Sequence, residues 1–251
     1  HALFEIEQAA EAIRDPELYE RAALWGSGRD ENPVIMLKVA EQYLAAKRPA
    51  QALERLPPEE QMPEHWRSQR HELLVEVHRQ AGDKARLREA LREAFIREPS
   101  DIARQEYLDS LPPSRRAAER AWTREQVRSG DYSPLIKATF FAETGDLEPC
   151  AAVILENPEG FDGHFYGPLL RIIDKIEKPH PLAAAVLYRR LLESILARAI
   201  SKYYHHAARY YRRLEALAPR ISDWQGLPPH ASYAAALRVS HARKAAFWKR
   251  V

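Results

Sequence analysis

Apolar residues recur along most of this chain with a period of about 3.6, the spacing of one face of an α-helix. Three prolines follow a residue that can cap a helix: Asp15-Pro16, Asn32-Pro33 and Ser133-Pro134. Each pair predicts a helix start, because proline fits the first turn and the preceding side-chain oxygen can accept free backbone N–H groups. No alternating run of β-branched residues is long enough to predict a strand. The pattern therefore predicts an all-α protein of about ten to twelve helices.

Most of the predicted helices come in pairs joined by short links. The pairs are Val34–Ala46 with Pro49–Leu56, Trp66–Gln80 with Lys84–Arg97, and Pro134–Glu143 with Glu148–Leu155; a longer helix, Ser114–Arg128, precedes the last pair. One pair cannot bury both of its faces, so consecutive pairs are expected to stack as a solenoid.

The segment Trp66–Pro99 has a Gly-Asp turn, small or apolar residues on its second helix and a closing proline. These features are carried by Gly82, Asp83, Leu87, Leu91, Ala94 and Pro99. They resemble the tetratricopeptide repeat, a helix pair of about 34 residues. Two further segments have similar spacings, at Ala40, Tyr43 and Ala52, and at Ala138, Phe141, Gly145, Asp146, Cys150 and Ile154. The resemblance implies a tetratricopeptide-like right-handed α-solenoid of stacked helical hairpins.

A second resemblance rests on short runs in the C-terminal third of the chain. The runs are Pro181–Ala184, Leu187–Arg189, Lys202–Arg209, Leu237-Arg238, His241–Lys244 and Phe247-Trp248. They are similar to an uncharacterised bacterial all-helical family, and a related helical tail accompanies SWIM-type zinc-finger proteins. This chain lacks the cysteine-rich finger, so the metal ion and nucleic acid of those proteins are not implied for it. The resemblance implies a helical fold and no particular activity.

Charge is distributed unevenly along the chain. Residues 182–251 hold 13 of the 38 Lys and Arg residues and three of the 36 Asp and Glu residues, a net charge of +10, whereas residues 1–181 carry −8. We predict an acidic helical-repeat body, residues 1–181, and a basic C-terminal helical cap, residues 182–251, packed on the same solenoid. The asymmetry indicates a polyanionic partner, an acidic protein partner or internal pairing of the two regions.

Much of the positive charge falls on a helix predicted over Lys202–Leu214. We call its cationic residues the basic ridge: Lys202, His205, His206, Arg209, Arg212 and Arg213. A helical projection places Tyr203, Tyr204, Tyr210 and Tyr211 on the opposite face, where they can pack against another helix. The ridge is either a solvated face or a surface that binds carboxylates or phosphates. Because bases would need aromatic side chains beside the cations, the projection favours an acidic protein segment over nucleic acid.

The last predicted helix, about Ala231–Lys249, carries His241 and Lys244 within its apolar stripe. A buried lysine is costly unless it is paired, so these two residues are candidates for a groove that binds an anionic partner. The alternative is that Lys244 extends outward along the apolar surface and His241 is satisfied in the core. Trp224 is expected to anchor the preceding linker, Pro219–Pro229.

The sequence lacks the motifs of a phosphate-binding loop, a dinucleotide-binding turn, a zinc protease and a serine hydrolase. Cys150 is expected to be an inert core residue. The adjacent side chains of His205 and His206 should diverge by about 100° on a helix, which argues against one shared metal ion. We therefore expect no metal ion and no cofactor.

Together these features predict a non-catalytic protein–protein interaction scaffold that binds an acidic segment through the basic ridge, His241 and Lys244. The alternative is a nucleic-acid-associated protein that contacts phosphates with the same residues. A single cysteine fits the reducing cytoplasm. No stretch reaches the roughly 20 apolar residues that cross a bilayer, so no membrane partner is expected.

Overall fold

The computed structural model describes residues 2–26 and 32–251. Within these ranges the chain forms fifteen α-helices and four single-turn 3-10 helices, and no strand. The α-helices are α1 (Ala2–Ile13), α2 (Pro16–Gly26), α3 (Pro33–Ala45), α4 (Pro49–Arg55), α5 (Arg67–Ala81), α6 (Lys84–Arg97), α7 (Asp101–Asp109), α8 (Pro113–Ser129), α9 (Pro134–Thr144), α10 (Leu147–Glu156), α11 (Tyr166–Ile176), α12 (Pro181–Ala197), α13 (Tyr204–Leu217), α14 (His230–Ser240) and α15 (Ala245–Trp248). The predicted all-α class is therefore confirmed for the described residues.

The helix starts follow the capping chemistry of the sequence. The side chain of Asp15 accepts a hydrogen bond from the Leu18 N–H (3.0 Å), and that of Asn32 accepts one from the Val34 N–H (2.9 Å). Ser133 accepts from the Ile136 N–H at 3.3 Å. These contacts satisfy backbone donors that have no partner within the helix. All three predicted caps are confirmed.

The predicted terminal helix, Ala231–Lys249, is wrong in one respect: it is divided into α14 and α15. The four residues between them, His241 to Lys244, form a turn. The indole N–H of Trp248 donates to the His241 carbonyl (2.9 Å), so a side chain satisfies a backbone group that a continuous helix would pair internally. The fifteen helices of the described ranges exceed the expected ten to twelve, and this division and the unpredicted helix α7 account for two of the additional ones.

The chain divides into two compact units, residues 1–98 with 102–120, and residues 99–101 with 121–251. In the first unit, helices α1 to α6 pack on their neighbours in sequence, and the side chains of Val39, Tyr43, Ala52 and Val77 belong to one buried cluster. In the second unit, α12 contacts α10, α11 and α13. Residues 182–251 thus share a unit with residues 121–181, so the charge boundary at residue 181 does not coincide with the boundary between compact units.

Helix α12 is the most buried element described in the second unit. Twelve of its seventeen residues are buried, including Ala183, Ala184, Leu187 and Leu192. Its central position fixes the packing face of α13, which carries most of the basic ridge. No helix in the described ranges combines the length and apolarity needed to cross a membrane.

Candidate partner-binding surface

Helix α13 packs on α12 and α15 through one face. The buried residues of that face are Tyr204, Ala207, Ala208, Tyr210, Tyr211, Leu214 and Leu217. The two alanines are fully buried, and their small side chains allow a close approach of helices. Tyr203 was predicted on this face but is 39% exposed, because it lies in the 3-10 turn Ser201–Tyr203 before the helix begins.

The basic ridge lies on the opposite side of α13 and on the preceding turn. Its exposed members are Lys202, His205, Arg209, Arg212 and Arg213, and His206 is half-buried. The predicted separation of cations and packing tyrosines is therefore confirmed within α13.

The C-terminal end of the ridge is paired with the chain itself. Arg213 donates a hydrogen bond to the Glu177 carboxylate (2.8 Å), which also accepts a hydrogen bond from the hydroxyl of buried Tyr188 (2.6 Å). Burial and the neighbouring Glu177 carboxylate raise the pKa of Tyr188 to about 12, so its hydroxyl stays a donor. Nearby, Arg220 donates to the backbone carbonyl of Lys178 (2.7 Å). Internal pairing, one of the three interpretations of the charge asymmetry, therefore occurs at Arg213.

Three other cations of the ridge, Lys202, Arg209 and Arg212, contact no carboxylate of the described residues. The Lys202 Nζ lies 4.9 Å from the centre of the Tyr203 ring, and the Arg209 guanidinium carbon lies 5.5 Å from that of Tyr210. Arg212 donates to the backbone carbonyl of Arg250 (2.9 Å). Among the described residues no ion pair links a carboxylate to Lys202, Arg209 or Arg212. Their charges remain available to an anion from solution.

His205 and His206 lie closer together than predicted. Their ring centres are 4.0 Å apart, because His205 sits at the start of α13 and its Nδ1 lies 2.9 Å from the Lys202 carbonyl oxygen. Burial, together with His205 and Arg209, lowers the pKa of His206. In the part of the chain that the structure describes, no three His, Cys, Asp or Glu side chains are grouped to hold a metal ion.

A cavity of about 330 Å³ adjoins the N-terminal end of the ridge. Leu170 of α11 and Leu191 and Ile195 of α12 provide apolar lining. Three tyrosines also line it, and so do two arginines and two histidines: Tyr166, Tyr203, Tyr210, Arg198, Arg209, His164 and His206. We call this cavity the aromatic pocket.

Arg198 and His164 lie on one side of the aromatic pocket, and His206 and Arg209 of the ridge also line it. Arg198 Nη1 is 2.7 Å from His164 Nδ1; because a guanidinium can only donate, Nδ1 accepts this hydrogen bond. A Cβ at the neighbouring Gly163 would overlap the backbone carbonyl of Arg190, so the loop approaches α12 as closely as only glycine permits.

The sequence analysis did not identify the aromatic pocket. Tyr166 and Arg198 come from segments separated along the chain from α13, and the periodicity of one helix cannot show that they meet it. The sequence signal nearest to it is the run Gly163-His164-Phe165-Tyr166, whose two aromatic residues the structure shows to be exposed.

The structure does not bring His241 and Lys244 to the aromatic pocket. Both are half-buried in the turn between α14 and α15, and neither belongs to the lining of the pocket. Burial and the nearby Lys244 lower the pKa of His241. The predicted grouping of these two residues in one helical stripe is therefore wrong, since the helix is interrupted there.

Trp224 anchors the linker as predicted. Its ring centre lies 4.9 Å from the guanidinium carbon of buried Arg189, which also lies 4.4 Å from the ring centre of Tyr233. Arg189 donates to the Pro228 carbonyl at 2.7 Å. Two aromatic rings and a backbone acceptor thus offset part of the cost of burying this charge, while the buried Nε has no hydrogen-bond partner among the described residues.

Cys150 is a fully buried core residue, as predicted. Its thiol donates to the Ala138 carbonyl (3.3 Å), and burial raises its pKa to about 12. The reactive thiolate is therefore disfavoured at neutral pH.

The comparisons with curated proteins and with solved structures give no match. A family model described as a family of unknown function, DUF6880, matches residues 7–250. That match covers nearly the whole chain and includes both compact units, the ridge and the pocket. The protein belongs to the DUF6880 family.

Proposed function

We propose that this protein is a non-catalytic interaction module that binds an acidic segment of a partner protein through Lys202, Arg209 and Arg212 of the basic ridge. The observation that supports it is the pairing of the ridge cations. Arg213 has a carboxylate partner in the described part of the chain, whereas Lys202, Arg209 and Arg212 have none. Carboxylates of a partner can supply charge-assisted hydrogen bonds at these three positions.

The alternative partner is single-stranded nucleic acid, and the exposure of Tyr203 favours it. This ring is accessible beside Lys202 and 6.3 Å from the His206 ring, which is an arrangement of aromatic and cationic groups on one surface. A base could stack on Tyr203 while phosphates contact the cations. Binding of this kind would weaken steeply with added salt.

A selection from a library of random 12-residue displayed peptides tests the main proposal. We expect the wild-type chain to enrich peptides rich in Asp and Glu. The double variant Arg209→Glu/Arg212→Glu should lose this enrichment, because its ridge would repel carboxylates. The control is Lys84→Glu, a charge reversal at an exposed lysine of α6. No enrichment of acidic peptides, or equal enrichment by the double variant, would contradict the proposal.

A salt titration with random single- and double-stranded oligonucleotides tests the alternative. Binding at low ionic strength that the double variant loses, without enrichment of acidic peptides, would favour nucleic acid. An absence of binding at low ionic strength would remove that alternative.

We also propose that the helix pairs are tetratricopeptide-like repeats of a solenoid. The proposal is supported by direct packing of α3 on α4, α5 on α6 and α9 on α10, and by left-handed glycines at the turns Gly82 and Gly145. A cytoplasmic location is part of the same proposal, since a single buried cysteine suits a reducing compartment.

A further inference from the structure

The aromatic pocket combines an apolar interior with aromatic sides. Leu191, Ile195 and Tyr210 are buried in the fold, whereas Tyr203 and Tyr166 are substantially exposed at the same cavity. An apolar group that entered would leave water and contact both leucine and tyrosine surfaces. Such burial is favourable by about 25 cal/mol per Å² of apolar area.

The charged groups of the pocket are all cationic or imidazole. Arg198 and Arg209 line it together with His164 and His206, and no Asp or Glu of the described part of the chain does so. Neither arginine forms an ion pair with a carboxylate of the described residues. The site therefore favours a ligand that carries negative charge beside its apolar part.

The size of the pocket limits what it can hold. Its volume of about 330 Å³ lies at the lower end of the roughly 300–1,000 Å³ range of small-ligand sites. This space suits one large side chain better than a folded element or an extended chain. Tyr203, His206 and Arg209 line the pocket and also belong to the ridge or its preceding turn, so a segment bound on the ridge can place a side chain there.

We infer that the aromatic pocket holds one aromatic or large aliphatic side chain of the acidic segment, with a neighbouring carboxylate of that segment paired by Arg198 and Arg209. This inference rests on the proposed function and specifies its ligand. The ridge would contribute electrostatic attraction, and the buried side chain would contribute most of the specificity.

The peptide selection tests this inference through a second property of the enriched sequences. We expect one Trp, Phe, Tyr or Leu at a constant distance from Asp or Glu. Repeating the selection with Tyr203→Ala, which removes an exposed wall, should abolish the apolar preference and retain the acidic one. Leu170→Trp, which fills the cavity, should have the same effect. Trp25→Ala, at a 70% exposed aromatic of α2, is the control and should change neither preference.

Fluorescence anisotropy of one enriched peptide with the whole chain measures how much the buried apolar side chain contributes to affinity. Replacing its apolar residue by Ser should weaken binding to the wild-type chain about tenfold. The same replacement should have little effect on binding to Tyr203→Ala. Circular dichroism of each variant confirms that it is folded.

The outcomes separate the two proposals. Acidic enrichment without an apolar residue at constant spacing would overturn the pocket inference and leave the proposed function standing. An apolar preference that Tyr203→Ala and Leu170→Trp both retain would also overturn the pocket inference. Failure to enrich acidic peptides would overturn both proposals.

Discussion

The two ends of the α13 surface differ in what their arginines contact. At the C-terminal end, Arg213 pairs with Glu177, which also accepts a hydrogen bond from the Tyr188 hydroxyl. One turn earlier, Arg209 contacts the His206 imidazole and the Tyr210 ring, pairs with no carboxylate of the described residues, and lines the aromatic pocket. Identical side chains on one helix therefore have different surroundings: Arg213 is tied to the fold by an ion pair, and Arg209 is the one that we propose to bind a partner.

The paired arrangement at Arg213 recurs in the first compact unit. Glu20 accepts hydrogen bonds from Arg55 (2.8 Å) and from the Tyr43 hydroxyl (2.6 Å). Glu119 likewise accepts from Tyr107 (2.8 Å) and from Arg115 (3.2 Å). Burial and the adjacent carboxylate raise the pKa values of Tyr43 and Tyr107 to about 12. Arg55, Arg115 and Arg213 thus each share a carboxylate with a tyrosine hydroxyl, whereas Arg209 has no carboxylate partner among the described residues.

The largest effect on stability should come from removing the carboxylate of the paired end. Glu177→Ala would leave buried Tyr188 and Arg213 without their acceptor, which should lower the free energy of unfolding by about 2–3 kcal/mol. Denaturant titration measures this loss. Glu156→Ala, at an exposed glutamate of the same unit, is the control. Equal stability of the two variants would show that the Glu177 contacts contribute nothing.

Near the aromatic pocket, we expect the largest effect of a substitution at Gly163. Gly163→Ala places a methyl group against the Arg190 carbonyl. Either the loop must move, or the free energy of unfolding must fall by about 1–3 kcal/mol. Either result should weaken peptide binding, because the loop carries His164 into the pocket. Gly167→Ala is a matched control, since the nearest atom to its Cβ is a flexible Arg171 nitrogen at 3.9 Å. Unchanged stability and binding in Gly163→Ala would contradict the described geometry.

Local features of the sequence account for much of this fold. Proline after Asp15, Asn32 or Ser133 sets a helix start through bonds between residues two or three apart, so these positions are predictable from the sequence. The packing face of α13 is predictable for the same reason, since helical spacing alone separates Tyr210 from Arg209. The class and most helix positions follow from such short-range rules.

The candidate site depends on contacts that the spacing of residues does not contain. Arg209 and Arg213 are equivalent on a helical projection, and only the position of Glu177 distinguishes them. The aromatic pocket needs Arg198 and Tyr166 to meet α13, which is decided by the packing of α11 and α12. The interruption of the last helix is likewise accompanied by a contact that spacing does not show, that of the Trp248 indole with the His241 carbonyl.

A direct test of the comparison substitutes the two arginines separately. Arg213→Gln should lower stability by about 0.5–1 kcal/mol, because its ion pair is half-exposed, and should leave peptide binding unchanged. Arg209→Gln should leave stability unchanged and weaken binding of the enriched acidic peptide about fivefold, which corresponds to about 1 kcal/mol. Denaturant titration and fluorescence anisotropy give both quantities. Similar losses in both variants would show that the ends of the ridge do not differ in role.

The smallest expected effect is on the protonation of His206. Burial, His205 and Arg209 lower the pKa of His206 below the ordinary value of 6.5. The folded state therefore favours neutral His206: its contribution to stability is fully present above pH 6.5 and is lost as the pH falls through the lowered pKa. Arg209→Gln should raise the His206 pKa, because one neighbouring positive charge is removed, whereas Arg213→Gln should not. NMR titration of the imidazole C–H signals, assigned with His206→Gln, measures the change. Equal shifts in both arginine variants would place His206 under the influence of the whole ridge rather than of its N-terminal end.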